Sequence, residues 1–211
     1  TGTWDASGTV NNIHYWLDSY RLINRANLVI EGVTKAVETN VVTSEVGNDY
    51  IGQCLFWRAF THFELLRQFA RPYNDTSGAT HMGVPYRVKG TSSLTTIEEN
   101  SQQGRGTVGD NYAQVLADLN DAEAKLFSKS NRGTVKLGIS YITKEAAIAL
   151  KVKVYLAMRK WSEVVTEANK LNGKYTLTAA SGGVFSANFA NTESILSLEN
   201  TANNNPGVNG A

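Results

Sequence analysis

Few residues of this sequence have the type and spacing that catalysis requires. The strongest candidates by residue type are His14, His62 and His81, because imidazole is the commonest general acid or base near neutral pH. His14 and His62 lie within helical patterns, and no nucleophile sequence such as Gly-x-Ser-x-Gly accompanies any of the three. We therefore interpret the histidines as structural or surface residues.

The other candidates for chemistry are equally isolated. Cys54 lies on a predicted helix face, which is the usual setting of a small buried hydrophobic residue. Glu98 and Glu99 could supply two carboxylates, but adjacent acids in a polar loop are typically solvated. The glycine-containing residues 104–106 and 182–183 lack the Lys-Ser/Thr of a phosphate-binding loop. Enzyme activity is therefore the least supported class of function, and no cofactor is predicted.

Aromatic residues outside the helical patterns are the best candidates for ligand contact. Trp4, Tyr73 and Tyr86 fall in this group. Such a ring can stack on the apolar face of a sugar or on a peptide side chain, while Asn and Asp neighbours form hydrogen bonds. A structural role for each of the three remains the alternative. Three other tryptophans fall within helical patterns and are assigned to packing: Trp16, Trp57 and Trp161.

Charge and composition exclude further classes of function. The 211 residues contain 20 Lys and Arg against 19 Asp and Glu, so no basic surface suited to nucleic acid is expected. A single cysteine cannot form an internal disulfide, and together with three histidines it argues against a structural zinc site. No apolar stretch reaches the roughly 18 to 20 residues that a membrane-spanning helix needs.

The first half of the chain predicts two long helices. Apolar residues recur at three- and four-residue steps through residues 10–31, which predicts an amphipathic helix ended by Gly32. Asn27 is the one polar residue in its apolar stripe. A second helix is predicted over residues 45–70 and is ended by Pro72.

An irregular segment separates these helices from the next. Residues 71–106 show no helical period, and we expect them to cross the surface as a loop. Thr107 then provides a hydroxyl N-cap with Asp110 three residues later, which predicts a third helix over residues 108–126. Residues 128–140 are interpreted as another loop.

A helical hairpin is predicted next. Residues 143–159 and 161–171 both show the helical period, and only Lys160 separates them. The spacing of small and large residues follows the tetratricopeptide pattern, with Trp161 at an ordinarily small position. One helical pair cannot bury its own apolar face, so we expect the first two helices to pair and the pairs to stack.

The predicted fold class is mostly α, with tetratricopeptide-like stacked helical pairs, long irregular loops and a few short extended segments near the C-terminus. The extended segments fall in a loop-rich tail, residues 173–211, and comprise residues 175–177, 185–189 and 193–198. Residues 1–211 are interpreted as a single helical scaffold region.

Several segments, in this order, resemble segments of the SusD/RagB-like outer-membrane nutrient-binding lipoproteins. The segments are Tyr20-Arg-Leu-Ile-Asn-Arg-Ala-Asn27, Trp57-Arg-Ala-Phe-Thr-His-Phe-Glu-Leu-Leu-Arg-Gln-Phe69, Gly83-Val-Pro85, Val115-Leu-Ala-Asp-Leu-Asn-Asp-Ala122, Thr143-Lys-Glu-Ala-Ala-Ile-Ala-Leu-Lys-Val-Lys-Val-Tyr-Leu156, Trp161 and Glu193-Ser-Ile-Leu196. The sequence departs from the family at Ala70, where Gly is usual, and in the length of the connection between Pro72 and Gly83.

This resemblance implies a fold, a function and partners. The implied fold is a scaffold of tetratricopeptide-like pairs that supports a loop-rich ligand-binding part. The implied protein is lipid-anchored on the outer face of the bacterial outer membrane. It binds an oligosaccharide or a peptide without catalysis and delivers it to a SusC-like TonB-dependent transporter. A protein-interaction scaffold without a small-molecule ligand is the alternative function.

The resemblance also suggests that the chain is part of a longer protein. Ligand-contacting residues of the family tend to lie before the first scaffold helix and after the Glu-Ser-Ile-Leu segment. Trp4 aligns best with a family aromatic just before the first helix. We therefore expect the lipid anchor and most of the ligand site to lie outside this chain.

Overall fold

The computed structural model describes residues 12–179 and 191–198, and this part of the chain is mostly helical. Seven α-helices are present in it: α1 (Asn12–Glu38), α2 (Ser44–Phe69), α3 (Leu94–Ser101), α4 (Val108–Lys125), α5 (Val135–Ser140), α6 (Lys144–Met158) and α7 (Trp161–Asn169). Short 3-10 turns occupy Tyr73–Asp75, Ser77–Ala79 and Lys129–Arg132. The predicted mostly α fold class is confirmed.

The long helices pack in chain order. Helix α1 lies against α2, α2 against α4, α4 against α6, and α6 against α7. The predicted pairing of the first two helices and the final hairpin are therefore confirmed. Their shared core is formed by apolar side chains of α2, α4 and α6, with Ile23 of α1 and Val84 and Tyr86 of the intervening segment. The stack of helical pairs thus buries a face that no single pair could cover.

Threonine N-caps fix the start of three long helices. Thr43, Thr107 and Thr143 each accept a hydrogen bond from the backbone N–H three residues later. The expected end of the first helix at Gly32 is wrong, because α1 continues to Glu38. A glycine inside a helix weakens it but does not stop it when the flanking turns remain packed.

The last hairpin is held to α4 by buried charges. The fully buried ammonium of Lys151 on α6 forms ion pairs with Glu123 of α4 and with Glu167 of α7, the latter at 2.9 Å. Lys170 reaches both carboxylates, at 3.1 Å and 3.0 Å. Because each of these four charges has an oppositely charged neighbour, the ion pairs fix the register of α4, α6 and α7.

Two predicted loops contain helices. Residues 71–106 include α3, whose start is fixed by reciprocal bonds between Ser93 and Thr96. The loop expected at residues 128–140 contains a 3-10 turn and α5. Both helices are shorter than nine residues. Neither therefore contains enough apolar residues at helical spacing to be predicted from the sequence.

The tail has turns, bends and irregular backbone where it is described. The backbone N–H of Thr176 donates to Thr192 O at 3.1 Å, and Ser197 N–H donates to Ile139 O at 2.8 Å. No regular strand forms in the described residues, and the segment predicted at residues 185–189 lies outside them. None of the helices described in residues 12–179 is long and apolar enough to cross a membrane.

The helical tryptophans differ in their surroundings. Trp16 packs edge-on against Phe69 with ring centroids 4.9 Å apart, and Trp57 packs against Phe60 at 5.7 Å. Trp161 is 62% exposed at the start of α7, so its assignment to packing is wrong within the described part of the chain. The helical period correctly predicts that Trp161 lies in a helix. It does not show whether another part of the chain covers the helix face that carries this side chain.

Candidate ligand-binding cleft

Residues 83–91, called the strap below, have no regular secondary structure and are held against α1 by its asparagine side chains. Asn27 Nδ2 donates to both Arg87 O and Lys89 O at 3.2 Å. Asn24 Oδ1 accepts from Thr91 N–H at 2.6 Å, and its Nδ2 donates to Thr91 O at 3.3 Å. The two asparagines therefore supply the hydrogen bonds that a neighbouring strand would otherwise give.

Further contacts bring the strap close to α1. Tyr20 Oη donates to Pro85 O at 2.8 Å, and Gly90 N–H donates to Glu31 at 2.7 Å. A Cβ atom at Gly90 would lie 2.6 Å from Leu28 Cδ2, so a larger residue there would have to displace side chains of α1. The strap is consequently fixed along its length rather than only at its ends.

A buried ion pair supports the strap from below. The guanidinium of Arg58 on α2 donates to both carboxylate oxygens of Asp118 on α4, at 2.7 Å and 2.6 Å, and the two side chains are 9% and 8% exposed. Arg58 also donates to Asn27 Oδ1 at 2.9 Å, while Tyr86 Oη donates to Asp118 at 2.7 Å. Together these four side chains connect α1, α2, α4 and the strap in one polar network.

His62 extends this network as a neutral side chain. Its Nε2 accepts from Arg87 N–H at 3.1 Å, so Nδ1 carries the proton and donates to Arg58 O at 2.9 Å. Burial lowers the pKa of His62 to about 3, with the Arg58 charge acting in the same direction. Its ring stacks on that of Tyr86 with centroids 3.8 Å apart. His62 is thus a structural residue, as the sequence predicts.

An open cleft lies between α1, the strap and α3. Its volume is about 290 Å³, near the lower end of the range for small-molecule sites. Seven of the ten lining residues have polar or charged side chains, although most of the exposed surface of the wall is apolar. The lining residues are Tyr20, Ile23, Asn24, Asn27, Arg87, Lys89, Thr91, Ile97, Asn100 and Ser101. Such a wall suits a small ligand with hydroxyl groups.

Neither Tyr73 nor Tyr86 is among the residues that line this cleft. The expectation that Tyr86 is an exposed loop residue is wrong, because it is 6% exposed, its ring lies on His62 and its hydroxyl bonds to Asp118. Tyr73 is half-buried and packs against Tyr112 with centroids 5.0 Å apart. Trp4 lies outside the described residues. Ligand contact by the three stays a prediction.

The other candidates for chemistry occupy separate places. His81 is buried, with its ring nitrogens 2.8 Å from Thr76 Oγ1 and 3.1 Å from Arg71 O. Cys54 is half-buried, and burial raises the pKa of its thiol. Glu98 and Glu99 lie on α3 instead of in a loop. Within residues 12–179 and 191–198 no group of three or more His, Cys, Asp or Glu could hold a metal ion.

Sequence reasoning missed the network residues Arg58 and Asp118. One signal was present, since Asn27 interrupts the apolar stripe of the first helix and a polar residue on a buried face needs partners. Arg58 and Asp118 lie 60 positions apart in sequence, and no local pattern links them. Their pairing depends on the register between α2 and α4.

The scaffold and its network agree with a comparison against known families. Residues 2–156 match the model of a family named SusD-like and described as "Starch-binding associating with outer membrane". The chain belongs to the SusD-like family. Asn27, Arg58 and Asp118 come from three of the segments by which the sequence resembles that family, so these SusD-like segments meet in the buried network. No curated protein sequence matches the chain.

Solved structures show the same SusD-like fold. A SusD superfamily protein from Bacteroides fragilis is 25% identical, with a TM-score of 0.75 over 96% of this chain and 43% of the other. A SusD superfamily protein from Bacteroides thetaiotaomicron is 22% identical, with a TM-score of 0.71 over 96% of this chain and 45% of the other. A laminarin binding SusD-like protein is 20% identical, with a TM-score of 0.65 over 86% of this chain and 36% of the other. The chain spans less than half the length of these relatives.

Proposed function

We propose that this chain is the helical scaffold region of a cell-surface protein that captures a glycan without catalysis. The observation that carries the proposal is the family match over residues 2–156, whose description combines starch binding with the outer membrane. The name of the laminarin binding relative agrees with an oligosaccharide as the ligand. A peptide ligand is the second possibility that the resemblance leaves open.

The cleft supports the proposal that part of that ligand contacts this chain. The cleft between α1, the strap and α3 is shaped before any ligand arrives, because the strap is fixed by side chains of α1 and by the Arg58–Asp118 pair. A rigid wall reduces the entropy lost on binding. We propose that the cleft is one contact region and that Trp4, Tyr73 and Tyr86 contribute directly or by packing. Residues 71–106 and 173–211 then act as loop-rich attachments to the scaffold.

The proposed partners follow from the family. After capture, the glycan is delivered to a SusC-like TonB-dependent transporter, and the protein is held on the outer membrane by a lipid on a cysteine outside this chain. Determination of the complete gene product tests the anchor: a signal sequence that ends in a lipid-accepting cysteine is expected. Recovery of the protein from cells in a fraction without outer membrane would contradict it.

Calorimetric titration of the full-length protein tests glycan capture. We expect heat of binding from at least one member of a panel of oligosaccharides, including laminarin and starch fragments, and none from unrelated peptides. Affinity purification of the same protein from outer membranes is expected to recover a TonB-dependent barrel. Absence of glycan binding together with recovery of the barrel would favour the scaffold function.

One observation favours this second function, a protein-interaction scaffold without a small-molecule ligand. Trp161 and Val165 are both exposed and lie one turn apart on the same face of α7. Neighbouring exposed apolar side chains of this size are common at protein contacts. Trp161→Ser is expected to reduce recovery of the barrel in that case, and neither the variant nor the wild type is expected to bind a glycan.

A further inference from the structure

Arg87 differs from the other polar residues that line the cleft. Its guanidinium forms no hydrogen bond or ion pair with the described part of the chain, and Nη1 is buried without an acceptor. A guanidinium has five N–H donors and no acceptor, so only an acceptor can satisfy it. Nε and Nη2 of Arg87 are not buried, so this edge of the guanidinium is the part that an acceptor in the cleft can reach.

Neighbouring carboxylates are already engaged elsewhere. Glu31 accepts from the backbone of the strap at Gly90, and Glu99 forms an ion pair with Lys89 at 3.4 Å. Asp118 receives both Arg58 and the hydroxyl of Tyr86. Arg87 and Lys89 are the two charged residues among those that line the cleft, and only Lys89 has an ion pair in the described part of the chain.

The rest of the wall provides contacts for a sugar ring. Asn100 donates to Thr91 Oγ1 at 2.6 Å, which leaves the Thr91 hydroxyl proton and Asn100 Oδ1 available for further hydrogen bonds. Ile97 is exposed beside them and offers an apolar surface. Hydrogen-bonding groups next to an apolar patch match a ring that carries hydroxyl groups on its edge and C–H groups on its face.

We propose that the cleft binds an acidic sugar unit, with its carboxylate on Arg87. This inference rests on the proposed function of glycan capture and names the class of sugar. A planar guanidinium pairs with a carboxylate through two parallel N–H···O bonds, a geometry that a neutral hydroxyl cannot reproduce. At about 290 Å³ the cleft admits one unit of a longer chain, and the other units contact the protein elsewhere.

Titration of the full-length protein with trigalacturonate and with neutral galactotriose tests the proposal. We expect trigalacturonate to bind more tightly, with an affinity that falls as NaCl is raised from 50 to 500 mM. Arg87→Gln is expected to weaken trigalacturonate at least tenfold and to weaken galactotriose by a much smaller factor. Arg87→Lys keeps the charge but loses the planar fork, so an intermediate loss is expected. Arg21→Gln, at an exposed arginine of α1, is the matched control and should change neither affinity.

The outcomes separate this inference from the proposed function. The acidic-sugar site is overturned if neutral glycans bind while trigalacturonate does not. It is also overturned if Arg87→Gln binds trigalacturonate as tightly as the wild type does. Both results leave glycan capture intact. Binding of galactose 6-sulfate in preference to galacturonate overturns the assignment to a carboxylate. A protein that binds no glycan at all overturns both.

Discussion

Removal of the negative charge at Asp118 should destabilise the fold strongly. Asp118→Asn keeps the size of the side chain but leaves the Arg58 guanidinium buried without a counter-charge. In the wild type the two groups are joined by two bonds of 2.7 Å and 2.6 Å, with both side chains less than one-tenth exposed. Breaking a buried pair by the loss of one partner costs about 3–5 kcal/mol. That loss is a large share of the roughly 5–15 kcal/mol that stabilises a typical protein.

Urea unfolding followed by circular dichroism measures this loss. For a chain of this size each kcal/mol lowers Tm by about 2–4 °C, so thermal unfolding should shift by about 6–20 °C. Asp18→Asn is the matched control, because Asp18 pairs with Arg21 at 2.7 Å on the surface with both side chains about two-thirds exposed. Its cost should be about 0–1 kcal/mol.

The reasoning would be refuted by an Asp118→Asn variant that loses no more stability than Asp18→Asn. A double variant adds a second check. Arg58→Met with Asp118→Leu leaves no buried charge, and we expect its loss to be smaller than the sum of the two single changes. Additive losses would show that the two charges do not interact.

Three further predictions concern other parts of the molecule. Gly32→Ala should stabilise α1 by about 0.8–1.0 kcal/mol, because nothing lies within 4 Å of the added methyl group. Gly52→Ala places the methyl group 2.8 Å from Leu126 and should cost about 1–3 kcal/mol. Urea unfolding measures both changes. His62 remains neutral in the fold but is protonated in the unfolded chain below its ordinary pKa of 6.5, so stability should fall by about 1.4 kcal/mol per pH unit below that value. Unfolding at pH 7.5 and 5.5 measures this, and a His62→Gln variant with the same pH dependence would contradict it. Trp4→Ala should weaken glycan binding in calorimetry, and an unchanged affinity would remove Trp4 from the ligand site.

The sequence predicted those elements whose signal is local. Thr107 is predicted as an N-cap, and α4 begins directly after it. Helix α6 begins at Lys144, within one residue of the start predicted from its helical period. Gly32 misled the prediction because a glycine signals a helix end only when the apolar period also stops there. Helix α3 escaped prediction because its eight residues contain only two apolar side chains, Leu94 and Ile97, and both are exposed.

The cleft could not be predicted because its residues come from distant parts of the chain. Asn24 and Asn27 look like ordinary helix positions until the strap lies across them, and Thr91 is 67 residues from Asn24. Arg87 carries no sequence signal either, since an arginine in a polar loop is usually solvated. Arg87 is a candidate ligand contact because its guanidinium has no acceptor in the described part of the chain. Only the packing of α1, the strap and α3 reveals this.

A crystal structure of the full-length protein with trigalacturonate would test glycan capture at the cleft most directly. We predict density for a sugar ring between α1, the strap and α3, with a carboxylate about 2.7–2.9 Å from the Arg87 guanidinium nitrogens. An occupied ligand site elsewhere with the cleft empty at saturating trigalacturonate would contradict this account.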